Sequence, residues 1–375
     1  RMAHIPASAR ELMLSPRKPI VLCCRRAEYP LSDLVAPGQK TVGILLPYSP
    51  LHHLILEEKK ALIMTSANFS DEPIVSSNEK ALSVLSGIAD FFLLHDREIY
   101  MAIDDSVAAF LGRSYFLLRR ARGYIPAPMA LHADSPVIFG AGAEMKSSFC
   151  VSKGDLLFPG QYLGDMKQRE TAVYYGRAMK HFLTLHELTP EYLAHDLHPQ
   201  FLSTATALGN LPGFTGEKLA VQHHHAHLAA CLLENGVRGP AIGAIFDGTG
   251  YGQDGTVWGG EFLVGDFAGF SRRGHFLPSR LPGGDASVME PWRYGLSLLA
   301  EVLGEETALQ AGEKLWPGRK DMIPLILSVL RISPLTTSCG RFFDGVAALL
   351  GLVERITFDG QAAMALEGIA EGGRL

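Results

Sequence analysis

Four histidines crowd the five positions His223-His-His-Ala-His227. On a helix, positions 223 and 227 share one face, because side chains four apart stand one turn above each other. Such a pair can hold Zn²⁺ or Fe²⁺ when further ligands come from elsewhere in the chain. His224 lies three positions from His227, so spacing alone does not fix the pair; His223 and His227 are taken as the metal residues, with His224 next in line. No Glu stands between them as in the His-Glu-x-x-His zinc proteases, which excludes that pattern. The competing explanation is a polar helix start whose histidines cap or hydrogen-bond, and four in five positions makes it the weaker one.

Two glycine-rich segments offer phosphate chemistry. Phe246-Asp-Gly-Thr-Gly-Tyr-Gly-Gln-Asp-Gly-Thr256 reads as an apolar strand ending in Asp247 and a turn. The backbone amides of Gly248, Thr249 and Gly250 can converge on phosphate oxygens, while Asp247 would face a metal or its water. Phe139-Gly-Ala-Gly-Ala-Glu-Met-Lys-Ser-Ser148 repeats the form, with Gly142 for close approach and Lys146 for positive charge. Asp-Gly turns are also common in plain hairpins. A third group is Thr65, Ser66 and Asn68, whose hydroxyls and amide can hydrogen-bond a phosphate or carbamoyl group; an ordinary polar turn reads equally from the residue types. Asp104-Asp105-Ser106 and the arginines Arg119 and Arg122 supply charges suited to magnesium and triphosphate.

These groups need elements to hold them. Strands are expected at Pro19–Cys23, Lys40–Pro47, Ala61–Thr65, Phe91–Leu94 and Ser114–Leu118, with helices at Ser49–Leu56 and Glu79–Leu85, which together suggest an α/β or α+β domain. Pro126, Pro128 and Pro136 mark a boundary near 129–136. Beyond it, Pro136–Gly140 reads as a strand, Phe149–Ser152 and Asp155–Phe158 as an antiparallel pair about Lys153-Gly154, 168–187 as a helix and Tyr192–Ala194 as a strand. His223–Glu234 is expected to be helical, with strands at Ile242–Phe246 and Val257–Val264. Short hairpins, glycine turns and helices in this succession suggest an actin-like nucleotide-binding core.

The chain has 375 residues, enough for two or three domains. Hydrophobic residues make up 47% and charged residues 19%, which fits buried cores. A net charge of −5 argues against a mainly electrostatic nucleic-acid binder. No apolar run approaches 18 residues, so a membrane span is not expected. Five scattered cysteines without a Cys-x-x-Cys pair point to a reducing, cytoplasmic setting rather than a disulfide scaffold. Arg1 stands where a Met would begin a chain and no secretory apolar core follows, so the sequence reads as an excised or processed piece.

The motifs together resemble the bacterial hydrogenase-maturation carbamoyltransferases, the HypF family. Thr65-Ser-Ala-Asn68, Asp104-Asp-Ser106 and Arg119-Arg-Ala-Arg-Gly-Tyr-Ile-Pro126 are similar to the later part of that family's YrdC-like domain. Ala194-His-Asp-Leu-His-Pro199, Gln222–His227, Phe246–Gly252, Leu281-Pro-Gly-Gly-Asp-Ala286 and Ser333–Asp344 are similar to its TsaD-like, actin-type (ASKHA) domain. The resemblance covers nearly the whole chain and implies a YrdC-like domain over 1–130 and a TsaD-like domain over 136–375. It further implies a route from carbamoyl phosphate and ATP, with Mg²⁺ and a divalent metal, through carbamoyl-adenylate to the C-terminal cysteine of a HypE-type partner, the first step of cyanide-ligand synthesis for [NiFe] hydrogenase. Asp247, Lys146 and Asn68 are then the expected catalytic residues. Thr65, Ser66, Asn68, Ser106, Arg119, Arg122, Gly142, Lys146 and Asp247–Gly250 are the expected nucleotide contacts.

Measured against that family pattern, the acylphosphatase-like and zinc-finger-like regions and the opening basic motif of the YrdC-like domain are missing. Met101-Ala102 stands where more basic residues are expected. The family's later glycine motif and an aspartate completing the metal site are expected beyond Leu375. Alternative readings are an enzyme that threonylcarbamoylates transfer RNA, an antibiotic O-carbamoyltransferase with the domain order reversed, and a non-enzymatic ATP-dependent scaffold. The YrdC-like-first order favours the hydrogenase route, and His223, His227, Lys146 and Asp247 argue against the scaffold.

Overall fold

The computed structural model describes residues 2–59, 61–69 and 72–370. The chain divides into two compact units, Arg1–Ala220 and Val221–Leu375. The first begins with α1 (Ala7–Leu14), which buries Ala9, Leu12 and Met13. They meet Val21, Cys23 and Ala108 of a four-stranded sheet. Its strands β1 (Ile20–Cys24), β2 (Thr41–Ile44), β3 (Val107–Leu111) and β4 (Ser114–Arg119) lie in the order β2-β1-β3-β4. Val21 and Cys23 point inward on alternate positions, as the two-residue period of a strand requires. Two short helices, α2 (Pro50–Ile55) and α3 (Asn78–Val84), start at Ser49 and Ser77, whose hydroxyls accept the amides of His52 and Lys80.

Ala61–Thr65 and Phe91–Leu94 are not strands. Among the described residues neither segment joins a sheet, and Ile63, Met64, Phe91 and Leu93 stand exposed. A short apolar run without a neighbouring edge to pair with carries no strand of its own.

The same unit contains a second sheet of β5 (Met129–Ser135), β6 (Ile138–Gly140), β7 (Cys150–Pro159), β8 (Tyr192–Asp196) and β9 (Glu217–Val221), ordered β5-β7-β6-β8-β9. Helices α4 (Arg169–Leu185) and α5 (Leu202–Gly209) accompany it. Its core is aromatic and close-packed: Phe139, Phe149, Val151, Tyr175, Met179 and Leu193 are all buried. The hairpin expected about Lys153-Gly154 is instead one continuous strand, β7. Gly154 takes φ +60° opposite Ser135, where the pairing with β5 shifts register. The extra residues at that shift lie in β5, and Gly154 continues β7 rather than reversing it.

The second unit opens with α6 (His223–Glu234), followed by the long hairpin β10 (Ala241–Tyr251) and β11 (Val257–Gly265). β12 (Phe270–His275), β13 (Ser279–Arg280) and β14 (Leu335–Thr336) complete a sheet ordered β10-β11-β14-β13, with β12 also on β11. Helices α7 (Asp285–Met289), α8 (Pro291–Leu303), α9 (Glu305–Leu315), α10 (Ile323–Val329), α11 (Cys339–Leu349) and α12 (Gln361–Ile369) make up the rest. Trp292, Leu296, Trp316 and Ile323 form their core. Leu228 and Leu232, one turn apart on α6, pack against the buried Leu263 of β11. That contact lays the histidine helix across the hairpin. Leu263→Ala is expected to cost roughly 2–5 kcal/mol in urea unfolding; a loss below about 0.5 kcal/mol would show that α6 is not held through this contact.

Candidate functional site

The histidine helix starts at an N-cap made by Gln222, whose side-chain oxygen accepts the His225 amide at 3.0 Å. Its Nε2 donates to the Tyr251 carbonyl at 3.1 Å, tying the start of α6 to the end of β10. The two elements approach so closely that a Cβ on Gly250 would lie 2.3 Å from His224 Cε1 and 2.9 Å from His223 Cδ2. Glycine at 250 is thus a steric requirement of the site. The strand does not end at Asp247 as expected but runs on to Tyr251, with a break in register between Phe246 and Gly250. A bulge of this kind re-aims side chains, and here Asp247 faces the histidines.

His223 Nε2 lies 3.1 Å from Asp247 Oδ2 and 3.2 Å from His227 Nε2. All three donor atoms fall within 4.8 Å of one another. Ligands on a tetrahedral zinc, with bonds of about 2.0–2.2 Å, are themselves roughly 3.3 Å apart. Asp247 Oδ2 is buried and makes no well-formed hydrogen bond. Two imidazole nitrogens and an orphaned carboxylate oxygen at this spacing fit a divalent cation. Burial alone would raise the Asp247 carboxyl, but the neighbouring His223 and His227 imidazoles and the Gly248 amide outweigh it and hold it well below the usual carboxylate range. Of the pairs that spacing left open, His223 and His227 are the two whose ring nitrogens lie together with the Asp247 carboxylate, a group that could hold a metal ion.

His224 has a different place. It is fully buried, 3.8 Å from Asp247 Oδ2 and beside the Trp258 ring. Burial, then the charge of His223, pushes it down to about 4, so it stays neutral near pH 7. Gln222 Nε2 lies 3.2 Å from its Nδ1, which leaves Nε2 turned toward Asp247. Cys231, on the same helix, is exposed near Asn235.

Beneath Asp247 is a network that residue types did not reveal. Glu261 on β11 is fully buried. Its Oε1 accepts the Gly259 and Gly260 amides at 3.0 and 3.2 Å and the Thr337 hydroxyl. Its Oε2 meets Arg272 Nε at 2.6 Å. Arg272 also pairs with Asp254 at 3.1 Å and lies 4.0 Å above the Trp258 ring. Burial works against the Glu261 carboxylate, yet the Arg272 and Thr337 hydrogen bonds win and lower it. On α11, Arg341 and Asp344 form a buried pair at 2.8 Å. Burial lifts Asp344 to about 6 despite that partner.

The expected residues of the first unit are placed as follows. Gly142 (φ +73°) and Lys146 (φ +49°) lie on the connection between β6 and β7, in a different unit from Asp247. Thr65 and Ser66 are exposed. Asn68 Nδ2 donates to the carbonyls of Phe69 and Glu72 at 2.8 and 3.0 Å, while its Oδ1 is buried without a partner. Ser106 is fully buried and spends its hydroxyl on the Arg122 carbonyl and the Ala121 amide. Arg122 pairs with Asp105 at 2.6 Å, donates to the Lys18 carbonyl and lies 3.5 Å over the Tyr48 ring. Arg119 reaches Asp104 at 3.3 Å and the ring of Tyr162. A cavity of about 720 Å³ lined by Tyr100, Arg169, Arg177, Lys180 and His181 includes none of the expected site residues.

Three family profiles match successive stretches of the chain. The profile for the carbamoyltransferase Kae1-like domain, second subdomain, matches residues 243–374, and that for the HypF Kae1-like domain matches 133–234. The profile described as telomere recombination, covering Sua5, YciO and YrdC, matches 1–121. The carbamoyltransferase HypF of Rhizobium leguminosarum bv. viciae is 39% identical over 98% of this chain. The chain belongs to the HypF carbamoyltransferase family. The HypF of Rhodobacter capsulatus is 38% identical over 99% of the chain and 50% of its own length. A crystal structure of full-length HypF in its phosphate- and nucleotide-bound form superposes with a TM-score of 0.92 at 37% identity, covering 99% of this chain and 49% of that one. The chain therefore spans about half the length of the HypF proteins it matches. The mixed α/β sheets are those of a YrdC-like and a Kae1-like fold.

Glu261→Gln removes one charge from the Arg272 pair and is expected to lower unfolding stability by about 1.5–3 kcal/mol at pH 7. A depressed carboxyl contributes stability above its unfolded pKa and loses it as pH falls through its folded one. The gap between parent and variant in urea midpoints should therefore close as pH drops below about 4.5. A gap that stays constant down to pH 3 would remove the ion pair as its cause.

Proposed function

We propose that this chain carries the adenylating and transfer steps of an ATP-dependent carbamoyltransferase acting on a protein thiol. The observation that carries the reading is the His223–His227–Asp247 donor set in a Kae1-like unit of the HypF family. The nucleotide-bound state of a HypF relative supports a nucleotide as ligand. Residues 1–130 are assigned to adenylate formation and 136–375 to transfer. Carbamate, derived from carbamoyl phosphate, attacks the α-phosphorus of ATP; the new P–O bond forms as pyrophosphate leaves with its Mg²⁺. A thiolate of the partner then attacks the carbamoyl carbon, forming a C–S bond as AMP departs. The partner is a HypE-type protein ending in cysteine.

In the first step Thr65, Ser66 and Asn68 would hold the reacting groups, with the orphaned Asn68 Oδ1 as one acceptor. Ser106 and Arg122 act by fixing the backbone around Asp105, since their polar atoms are spent within the fold. Arg119 faces phosphate charge. For the second step Gly248, Thr249 and Gly250 are assigned to the adenylate; Gly142 and Lys146 remain nucleotide candidates of the first unit. His223, His227 and Asp247 would hold a Zn²⁺ or Fe²⁺ ion, which when bound polarises the group being transferred and orients a phosphate oxygen. Transfer is direct, without a carbamoyl-enzyme thioester. Burial raises the thiols of Cys23, Cys150 (to about 11) and Cys339, which keeps them protonated and poor nucleophiles. All five cysteines are unpaired, and among the described residues no helix is long and apolar enough to cross a membrane; both suit the cytoplasmic location proposed here.

Two experiments on the full-length protein test this. With labelled carbamoyl phosphate, ATP and a HypE-type partner, label should appear on the partner alone after denaturation. Asp247→Ala should abolish that labelling yet leave carbamate-dependent pyrophosphate exchange intact. Stable label on Cys231 or Cys339 that discharges onto the partner would overturn direct transfer, and loss of both steps in Asp247→Ala would overturn the division of labour. Asn68→Ala should slow the exchange by on the order of 10²–10³, and unchanged exchange would move the adenylating site elsewhere.

A further inference from the structure

The three metal donors come from two elements that differ in how firmly they are held. His223 and His227 sit on a regular helix whose apolar face is buried. Asp247 sits where strand pairing breaks, so the ladder does not fix its backbone. Ser338, the residue before α11, closes on that gap. Its hydroxyl donates to the Gly248 carbonyl at 2.7 Å and lies 3.3 Å from the Asp247 carbonyl. The same oxygen accepts the Arg341 amide at 3.0 Å and so caps α11. Ser338 is itself buried, and its neighbour Thr337 hydrogen-bonds the buried Glu261. At Gly340 a Cβ would fall 2.8 Å from the Gly248 Cα, so the helix start rests directly on the bulge.

We propose that Ser338 is a positioning residue for the metal site: its hydroxyl replaces the missing strand pairing and holds Asp247 in line with His223 and His227. The inference rests on the metal reading of those three residues. Partners that orient a ligand typically set affinity by 10- to 100-fold when removed, and a hydroxyl acting on the backbone of a single ligand belongs at the lower end.

Co²⁺, whose visible bands report ligand number and geometry, is the probe, added to metal-free full-length protein. Ser338→Ala should weaken Co²⁺ binding about tenfold and alter the band, because Asp247 drifts from the donor set. Ser338→Thr, which keeps both the cap and the donor, should restore parent affinity and spectrum. An unchanged affinity and band in Ser338→Ala would overturn the proposal. So would equal weakening in the Ala and Thr variants with a matching fall in metal-free unfolding temperature, since that would mean packing rather than the hydroxyl. His223→Ala serves as the control. If the parent shows no Co²⁺ band, or His223→Ala keeps it, the metal reading itself fails and takes this inference with it. A parent band lost in His223→Ala but untouched in Ser338→Ala sinks the role of Ser338 alone.

Discussion

A carboxylate without access to water organises the second unit. Glu261 is fully buried, and burying a charge is costly unless it is paired and hydrogen-bonded. Here one oxygen gathers two amides of β11 and the Thr337 hydroxyl, and the other faces Arg272 of β12. The chain cannot satisfy that charge without bringing β11, β12 and the turn into α11 to one point. Once those are joined, Ser338 lies against the bulge of β10 and Asp247 has its backbone fixed. His223, His227 and Asp247 are therefore brought together through a polar network beside them, with apolar packing of α6 on Leu263 supplying the other half of the geometry.

The first unit uses its charges in a comparable way, though on the surface of its sheet. Arg122 engages Asp105, two backbone carbonyls and the Tyr48 ring at once. A planar guanidinium suits such a junction because its donors form a rigid fork and its face stacks on aromatic rings. Ser106 similarly satisfies two backbone groups from a fully buried position. Residues that attract attention as ligand contacts by type are, at these two positions, holding the segment that carries Asp104 and Asp105.

Much of the site was legible in sequence where the signals are local. The helix expected at His223–Glu234 is found over those residues, and Asp247 is singled out in sequence by the glycines that follow it. What the residues did not show lies in long-range pairing. Asp247 looks like the end of a strand because glycines follow it, yet the strand resumes after a bulge that only pairing with β11 defines. Lys153-Gly154 looks like a hairpin turn for the same reason. The segment Ser333–Asp344 is visible as a motif, but its contact with Asp247 and the roles of Glu261 and Arg272 depend on partners tens of residues away. Apolar runs at Ala61–Thr65 and Phe91–Leu94 failed as strands because periodicity says nothing about an available edge.

The link between Ser338 and Asp247 also has a bearing on time. It closes across 91 positions of sequence. Contacts so distant along the chain pay their loop entropy before they return any stabilisation, and they form late. A ribosome still short of residue 338 has already translated His223, His227 and Asp247 without the turn whose Ser338 contacts the Asp247 segment. The contact between Ser338 and the Asp247 segment is thereby deferred until the start of α11 has been made, 91 positions after Asp247.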